Sequence, residues 1–279
     1  MSFKVKIRIM FLQNLNVSPF TRRTIFDIVY SMEESRMQRL WFDESDERVR
    51  ILRELWKNRA VTAENGAPVY IFAPNKLLTV SDVSELDGGA CIFAGFADRD
   101  AAELLRTRGS RLKLFSEDEC FISENAWLTA EGALSVLIAK TKRSLAELCI
   151  LIVGFGRVGR AMARTLRNNH ADITVATTSK AAEAAHIAKT VVTGEWDLKR
   201  YDTVINTVPV RLFSEKDYDA LSSGRLYMEL ASPPYGIDMV AAAAAGVAVA
   251  AEPAIPARFA PESAARLMER SMTAVLEIT

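Results

Sequence analysis

The chain has 279 residues, a length that predicts two domains rather than one small binding module. Hydrophobic residues make up 49% and charged residues 25%, as in a folded globular chain, so extended disorder is excluded. The 35 basic residues balance the 35 acidic ones, which excludes a chain-wide positive field for nucleic acid or an anionic membrane surface.

Cysteine and histidine content indicates the compartment. Three widely spaced cysteines and two histidines are too few for a Cys/His zinc site, so we expect a reducing cytoplasm and no structural metal. The longest apolar run, 239–251, is well short of the ~20 residues that span a bilayer, and we expect no transmembrane helix. Charged and apolar residues alternate from Lys4 to Ile9, which predicts a strand rather than a signal peptide.

Strands alternate with helices up to about residue 127, which predicts a first α/β domain. Apolar residues recur at helical spacing in three segments, which are 25–32, 49–56 and 101–106. Short apolar runs predict buried strands at 69–73, 90–94 and 111–115. The charges between 20 and 60 have mixed signs, and we interpret them as solvated helix faces.

A long apolar helix is predicted to bridge the two domains over 128–143. Thr129 would cap it, Glu131 would lie in its first turn, and the basic residues of 140–143 would end it, as the helix dipole favours. Glu131 has two interpretations, a general base facing the cleft or an ordinary acid of the first helical turn.

A glycine-rich turn after a buried strand, 148–153, is the most informative stretch. It reads Gly154-Phe155-Gly156-Arg157-Val158-Gly159 and leads into a helix, so the dinucleotide-binding pattern stands in its required context. Gly154 would permit the tight turn, Gly156 the approach of a pyrophosphate to helix N–H groups, and Gly159 close packing of helix on strand. We predict a Rossmann nucleotide site. The alternative is a Rossmann domain that has lost its ligand.

Five further strands complete a predicted six-stranded doubly wound sheet, at 173–176, 191–192, 203–206, 226–230 and 247–250. The second strand of this sheet ends in Thr177-Thr178-Ser179-Lys180, where an NAD enzyme would carry an acidic residue for the ribose hydroxyls. Hydroxyls and a cation suit a 2′-phosphate, and Arg157 could add charge. We therefore favour NADP over NAD as cofactor.

Loops after the later strands would carry the chemistry, because ligands of open α/β sheets gather at the carboxyl ends of the strands. Asn206 and Ser232 are candidate partners of nicotinamide or substrate, although both also suit ordinary turns. Arg258 is a candidate carboxylate-binding residue or a solvated surface arginine. Residues 187–279 contain no histidine, which disfavours oxidation of a 2-hydroxy acid by a histidine base.

From about Val69 to the C-terminus, the order of segments resembles the family of the A-type, nicotinamide-binding subunit of dipicolinate synthase. Besides the glycine-rich turn, the matching pieces are 111–115 (RLKLF), 125–132, 206–209 (NTVP), 229–232 (ELAS) and 253–261. The shared turn occurs in many families, whereas the joint order of the other pieces is specific.

The resemblance implies an oxidoreductase of spore formation that uses a nicotinamide cofactor to oxidise a dihydrodipicolinate-type precursor to pyridine-2,6-dicarboxylate. It also implies a partner, the separate flavoprotein-like B-type subunit of dipicolinate synthase. Asn125, Thr129, Ser232 and Arg258 would then hold the substrate carboxylates, and Glu131 would accept the proton. Two alternatives remain, a noncatalytic nucleotide-binding scaffold or regulator of that flavoprotein, and a housekeeping reductase of unknown small substrate. We also expect a homo-oligomer.

The chain departs from the family pattern at several positions. Ala254, Ala257 and Ala265 stand where the family has glycines, Glu262 stands where it has a lysine, and Leu128 replaces a proline. Loss of a cation beside a dicarboxylate pocket predicts weaker substrate binding, because one charge-assisted hydrogen bond contributes about 1.5–3 kcal/mol.

We therefore expect an α/β protein with two doubly wound Rossmann-like domains, the second of which carries the dinucleotide site. The boundaries are 1–127 for the N-terminal domain, 128–143 for the bridging helix, 144–255 for the Rossmann domain and 256–279 for the C-terminal segment. Its helix, 261–278, would pack back on the first domain through Ala264, Leu267, Met268, Met272 and Val275. The residues expected to contact the cofactor are Gly154, Phe155, Gly156, Arg157, Val158, Gly159, Thr177, Thr178, Ser179, Lys180, Thr207, Val208, Pro209, Leu230 and Ala231. The candidate catalytic residues are Glu131, Asn206 and Ser232.

Overall fold

The computed structural model describes residues 40–192 and 196–279. The strand predicted at 4–9 and the helix predicted at 25–32 lie outside the described residues. Within the described stretches the protein is a mixed α/β structure with two parallel sheets of four and six strands. No helix in these stretches is both long enough and apolar enough to cross a bilayer.

The first sheet is parallel, with strand order β1-β3-β5-β7. In chain order its region contains β1 (Leu40–Phe42), α1 (Glu47–Trp56), β2 (Val61–Ala63), β3 (Val69–Ile71), β4 (Leu77–Leu78), α2 (Val80–Val83), β5 (Cys91–Ala94), β6 (Phe96–Ala97), α3 (Arg99–Thr107) and β7 (Arg111–Leu114). The three strands and the helices predicted at 49–56 and 101–106 are confirmed. Buried side chains of α1, β3 and β5, such as Leu52, Ile71 and Phe93, form its core.

The second half of the chain forms the six-stranded sheet. Its elements are α4 (Glu119–Thr141), β8 (Cys149–Val153), α5 (Arg157–Asn168), β9 (Asp172–Ala176), α6 (Ala181–Ala185), β10 (Thr190–Val192), β11 (Thr203–Asn206), α7 (Glu215–Ser222), β12 (Leu226–Glu229), α8 (Met239–Ala244), β13 (Ala248–Ala250), α9 (Ile255–Phe259), α10 (Pro261–Met272) and β14 (Leu276–Ile278). The strand order β10-β9-β8-β11-β12-β13 confirms the predicted doubly wound sheet. The order reverses between β8 and β11, and such a switch point opens a ligand crevice at the carboxyl ends of the strands.

The bridging helix α4 is longer than predicted. It begins at Glu119, ten residues before Thr129, because the Asp118 side chain accepts the Phe121 N–H at 3.1 Å and caps the helix there. Thr129 is therefore not a cap: its hydroxyl donates to the Asn125 carbonyl at 2.8 Å, one turn back inside the helix. Phe121 packs in the core of the first sheet, whereas Leu137 packs in that of the second.

The C-terminal helix α10 packs on the first sheet, as predicted, but it ends at Met272. Of the expected apolar stripe, Leu267, Met268 and Met272 are buried in the first core and Val275 packs against it, while Ala264 is buried as well. The last residues form β14, which pairs antiparallel with β2. This pairing uses the chain's final backbone groups in a ladder, which explains why the helix does not continue to 278.

Candidate functional site

The three glycines of the turn after β8 meet different surroundings. Gly154 has φ +96°, and a Cβ there would lie 2.5 Å from the Thr207 hydroxyl. A Cβ on Gly159 would lie 2.3 Å from the Gly154 carbonyl oxygen, so this glycine lets α5 pack on the turn. A Cβ on Gly156 would meet no protein atom within 4 Å. The space beside Gly156 is thus left open by the protein, whereas the other two glycines are required by the protein's own packing.

This open space lies at the N-terminus of α5, a helix of 12 residues. Gly156 is its N-cap residue and supplies no side chain to the first N–H groups of the helix. Free N–H groups together with the positive end of the helix dipole favour a phosphate. The open space beside Gly156, at the N-terminus of this helix, fits the pyrophosphate of a dinucleotide.

A cavity of about 610 Å³ adjoins the turn on the side of β9 and β10. Its lining is Val153, Gly154, Phe155, Gly156, Ala176, Thr177, Thr178, Ser179, Lys180, Val192, Trp196, Val208 and Leu212. Hydroxyls and one ammonium group therefore stand at one end, and apolar side chains form the walls. This arrangement can hold a flat heteroaromatic ring with an anionic group at its ribose.

Arg157 does not line this cavity. Its guanidinium makes two hydrogen bonds to the Glu119 carboxylate, at 2.9 and 2.6 Å, at the start of the bridging helix. The Arg157 guanidinium holds the pKa of Glu119 below its usual range. The structure thus directs Arg157 toward the bridging helix, not toward the Thr177–Lys180 segment where we expected it to add charge.

A second cavity, of about 650 Å³, lies between the bridging helix and the loops that follow β12 and β13. Its lining is Asn125, Thr129, Val158, Glu229, Leu230, Ala231, Ser232, Pro233, Tyr235, Met239, Ala251, Glu252, Pro253, Ala254, Ile255 and Pro256. We call it the reaction cleft. The Asn125 Oδ1 atom is buried there and has no hydrogen-bond partner among the described residues. Asn125, Thr129 and Ser232, all predicted for substrate binding or catalysis, are therefore brought together.

Asn206 and Glu229 form a buried network beneath this cleft. Asn206 is 0% exposed, and its amide nitrogen donates to the Glu229 carboxylate at 2.7 Å and to the Val208 carbonyl at 3.0 Å. Its Oδ1 accepts the Val208 N–H at 3.1 Å. Direct contact of Asn206 with nicotinamide or substrate, as we predicted, is therefore contradicted. Its amide instead orients a carboxylate.

Tyr227 completes the network from β12, with its hydroxyl donating to Glu229 at 2.9 Å. Burial, and after it the charge of the Glu229 carboxylate, raises the pKa of Tyr227 well above its usual range. The phenol therefore keeps its proton at any physiological pH. It serves as a permanent hydrogen-bond donor and is not available as a base.

Glu131 is exposed and does not line either cavity. Each residue advances about 100° around an α-helix, so Glu131 lies about 200° from Thr129, on the opposite face. Thr129 faces the reaction cleft, and Glu131 therefore faces away from it. The interpretation of Glu131 as a first-turn capping acid is also wrong, because the first turn lies at Glu119.

Arg258 is ion-paired with Glu252, a residue of the reaction-cleft lining. Its guanidinium also lies 5.9 Å from the ring centre of Phe259. An internal carboxylate thus holds the group that we predicted for a substrate carboxylate. Glu262, by contrast, is exposed on α10 and pairs with Arg266 at 2.8 Å, outside the cleft lining, so its charge does not weaken this pocket as we expected.

Both histidines are exposed and line a small cavity at the amino ends of β9 and β10. That edge of the sheet is opposite the nucleotide turn. Thr207 and Pro209 lie next to the site without lining either cavity; the Thr207 hydroxyl donates to the Val153 carbonyl at 2.9 Å and ties β11 to β8.

Sequence reasoning missed four members of the site. Glu229 was visible as an acid within an otherwise apolar strand, a pattern that indicates a paired buried charge. Trp196 and Glu252 gave no local signal, because their position depends on how the loops fold over the sheet. Gly236 is fixed by the network, since a Cβ there would lie 2.5 Å from the Asn206 amide nitrogen.

Comparison with known proteins agrees with the geometry. Residues 150–271 match the family model described as the saccharopine dehydrogenase NADP binding domain. The chain is similar to the A-type subunit of dipicolinate synthase from Bacillus subtilis (strain 168), with 24% identity over 228 residues, 78% of this chain and 75% of the relative. The predicted resemblance is therefore confirmed.

Two solved structures show the same fold. The A-type subunit of dipicolinate synthase from Bacillus subtilis superposes with a TM-score of 0.65 and 19% identity, over 74% of this chain and 76% of that one. A transhydrogenase from Sinorhizobium meliloti superposes with a TM-score of 0.58 and 17% identity, over 74% and 72%. The described fold is thus a Rossmann-type fold with a dehydrogenase-type nucleotide-binding domain.

Proposed function

We propose that this chain is the nicotinamide-binding oxidoreductase subunit of a dipicolinate synthase, oxidising a dihydrodipicolinate-type precursor to pyridine-2,6-dicarboxylate. The observation that carries the proposal is the open space beside Gly156 at the free end of α5, next to a cleft lined by polar side chains. The similarity to dipicolinate synthase of Bacillus subtilis supports this choice of substrate. A role in spore formation belongs to the same proposal.

The cofactor in this proposal is a nicotinamide dinucleotide, with NADP preferred to NAD. Thr178, Ser179 and Lys180 are exposed at the end of β9 and offer two hydroxyls and a cation to a 2′-phosphate. The matched family model is named for NADP binding, which supports the same preference. The Arg157 guanidinium is held by the Glu119 carboxylate and would have to break that ion pair to contact a 2′-phosphate.

The protein's part in the reaction is binding and orientation. When bound, the nicotinamide ring accepts a hydride, and formation of an aromatic ring drives the substrate's oxidation. Thr129, Ser232 and the unpartnered Asn125 oxygen hold the substrate's polar groups against the cleft wall. No strong base is required for a step that ends in an aromatic product.

Arg258 and Glu252 have linked roles in the proposal. A substrate carboxylate replaces the Glu252 carboxylate on the Arg258 guanidinium, since both are the same chemical group. Glu252 then lies free in the cleft lining, where one of its oxygens accepts the proton that the ring loses. Glu252 takes the place of Glu131, which faces away.

The assembly in the proposal includes the flavoprotein-like B-type subunit of dipicolinate synthase and a homo-oligomer of this chain. The domain boundaries near residues 127, 143 and 255 also remain proposals, with the bridging helix now starting at Glu119. Helix α4 contributes to both cores and thereby connects the two proposed domains.

The test uses the purified full-length chain with the precursor and either NADP or NAD, with and without the flavoprotein. Near-ultraviolet absorbance of the reduced nicotinamide follows the cofactor, and absorbance at shorter wavelength follows the aromatic product. Appearance of both signals supports the proposal, and faster reaction with NADP supports the cofactor preference. Retained nucleotide binding without product, even with the flavoprotein present, would refute it.

One alternative has structural support, a noncatalytic nucleotide-binding scaffold for the flavoprotein. Its support is that Glu131 faces away from the cleft while Arg157 and Arg258 are held by internal carboxylates. A scaffold predicts that the flavoprotein binds this chain and that its activity depends on NADP occupancy, with no turnover by this chain. Substituting Arg258 would then change neither effect.

A further inference from the structure

Glu229 is a buried carboxylate at the carboxyl end of β12, with 3% of its surface exposed. Its Oε1 accepts hydrogen bonds from the Asn206 amide at 2.7 Å and the Ala231 N–H at 3.0 Å. Its Oε2 accepts from the Tyr227 hydroxyl at 2.9 Å and the Gly236 N–H at 2.8 Å. Four donors therefore converge on one side chain.

The hydrogen-bond partners of Glu229 suit a carboxylate. All four donate in this arrangement, and three of them, the Asn206 amide and the Ala231 and Gly236 N–H groups, can only donate, so a carboxylate satisfies every partner. Among the described residues no lysine or arginine forms an ion pair with Glu229, and Arg211 pairs instead with Asp238 at 3.1 Å. The negative charge is thus stabilised by hydrogen bonds rather than neutralised by a cation.

The same bonds fix the loop that follows β12. The N–H groups of Ala231 and Gly236 bracket the exposed segment 232–234, part of which lines the reaction cleft. Gly236 leaves no room for a side chain beside the network, because a Cβ there would lie 2.6 Å from the Tyr227 hydroxyl. Glu229 therefore determines where this wall of the cleft stands.

We infer that Glu229 is a positioning residue of the reaction cleft: it anchors the 231–236 loop and places a fixed negative charge in the wall of the cleft, where the proposed function brings the nicotinamide ring to the substrate. The inference rests on the proposed nucleotide binding and extends it. The oxidised nicotinamide ring is a cation and the reduced ring is neutral. A fixed anion in a low-dielectric wall consequently favours binding of the oxidised cofactor over the reduced one.

The charge is tested by the ratio of the dissociation constants of NADP⁺ and NADPH, measured by calorimetry on the full chain. Glu229→Gln should shift this ratio toward NADPH by about fivefold. Glu229→Asp keeps the charge and should hold the ratio within about twofold, although its shorter side chain loosens the loop. Tyr227→Phe removes one donor but no charge and should also retain the ratio. A merely structural role would alter affinity for both forms alike.

The anchoring is tested without nucleotide, by amide hydrogen exchange at Ala231 and Gly236. Both amides should exchange at least tenfold faster in Glu229→Asp and in Glu229→Gln, while thermal melting shows that the variants are folded. If Glu229→Gln does not fold, Glu229→Met, which also removes the charge, should shift the ratio in the same direction. Glu229→Asp then tests the anchoring, since it must lose amide protection while keeping the ratio.

The inference is wrong if folded Glu229→Gln keeps the wild-type ratio or if the two amides remain protected. If the wild-type protein binds neither NADP⁺ nor NADPH, the proposed function fails and the charge role fails with it. The exchange measurement then still reports whether Glu229 anchors the loop, so the two failures are distinguishable.

Discussion

Replacing Gly156 by alanine should abolish most nucleotide binding without destabilising the protein. The backbone at Gly156 has φ −75°, which alanine adopts readily, and the added Cβ meets no protein atom within 4 Å. The free energy of unfolding should therefore stay unchanged or rise by about 0.4–1 kcal/mol, because alanine restricts the unfolded chain. In the bound state the methyl group would occupy the path of the pyrophosphate and remove at least one charge-assisted hydrogen bond of about 1.5–3 kcal/mol. We expect affinity for NADP to fall by about 10- to 100-fold.

Calorimetric titration with NADP measures the affinity, and urea denaturation measures the stability. Gly159→Ala is the matched control from the same turn. Its Cβ would lie 2.3 Å from the Gly154 carbonyl oxygen, so it should lower stability by about 1–3 kcal/mol through overpacking. A folded Gly156→Ala variant with wild-type affinity would refute the assignment of the open space to the pyrophosphate.

Further outcomes follow from the same geometry. Lys180→Ala should weaken the binding of NADPH about tenfold in fluorescence titration and leave the binding of NADH unchanged. The control is Lys189→Ala, which should change neither affinity, because the Lys189 ammonium lies outside the site and pairs with Asp172 at a distance of 2.9 Å. Equal losses for both nucleotides would contradict the 2′-phosphate assignment. Ala254→Gly should leave stability unchanged or raise it by up to about 1 kcal/mol, because Ala254 has φ +50°, while Ala257→Gly, inside α9, should lower it by about 1 kcal/mol in urea melts. Equal destabilisation by the two glycines would show that no strain is relieved. NADP at 100 times its dissociation constant should raise the melting temperature by about 5–10 °C in calorimetry, because binding adds ~2.7 kcal/mol to the free energy of unfolding. An unchanged melting temperature would exclude tight binding of NADP to the folded state.

The parallel strands and the nucleotide turn could be predicted from the sequence because their signals are local. A buried strand followed by Gly-x-Gly-x-x-Gly and a helix carries its own geometry, and the structure separates the three glycines by what surrounds each. The doubly wound sheet of six strands followed from the alternation of strands and helices. Local patterns therefore located the carboxyl edge of the sheet and most of the lining of the first cavity.

Helix boundaries were less predictable, since tertiary contacts override local preference. The segment 119–128 contains serine, asparagine and a tryptophan, and its helical form depends on the Asp118 cap and on Phe121, whose ring centre lies 4.9 Å from that of Phe115. Because the helix starts at Glu119, Asn125 and Thr129 lie inside it on the face toward the reaction cleft. Glu131 lies on the opposite face of the same helix, so it has no place in the cleft.

Charge pairing was the least predictable feature, and it changes the chemistry most. Glu119 lies 38 positions from Arg157 in the sequence, and no spacing rule relates the two. Arg258 and Glu252 are six positions apart, but only the turn into α9 brings them together. Each pair places an internal carboxylate on a cation that an anionic ligand would otherwise bind. An anionic ligand must therefore displace the protein's own carboxylate from the arginine. Its apparent affinity measures how much more strongly the arginine binds the ligand than it binds that carboxylate.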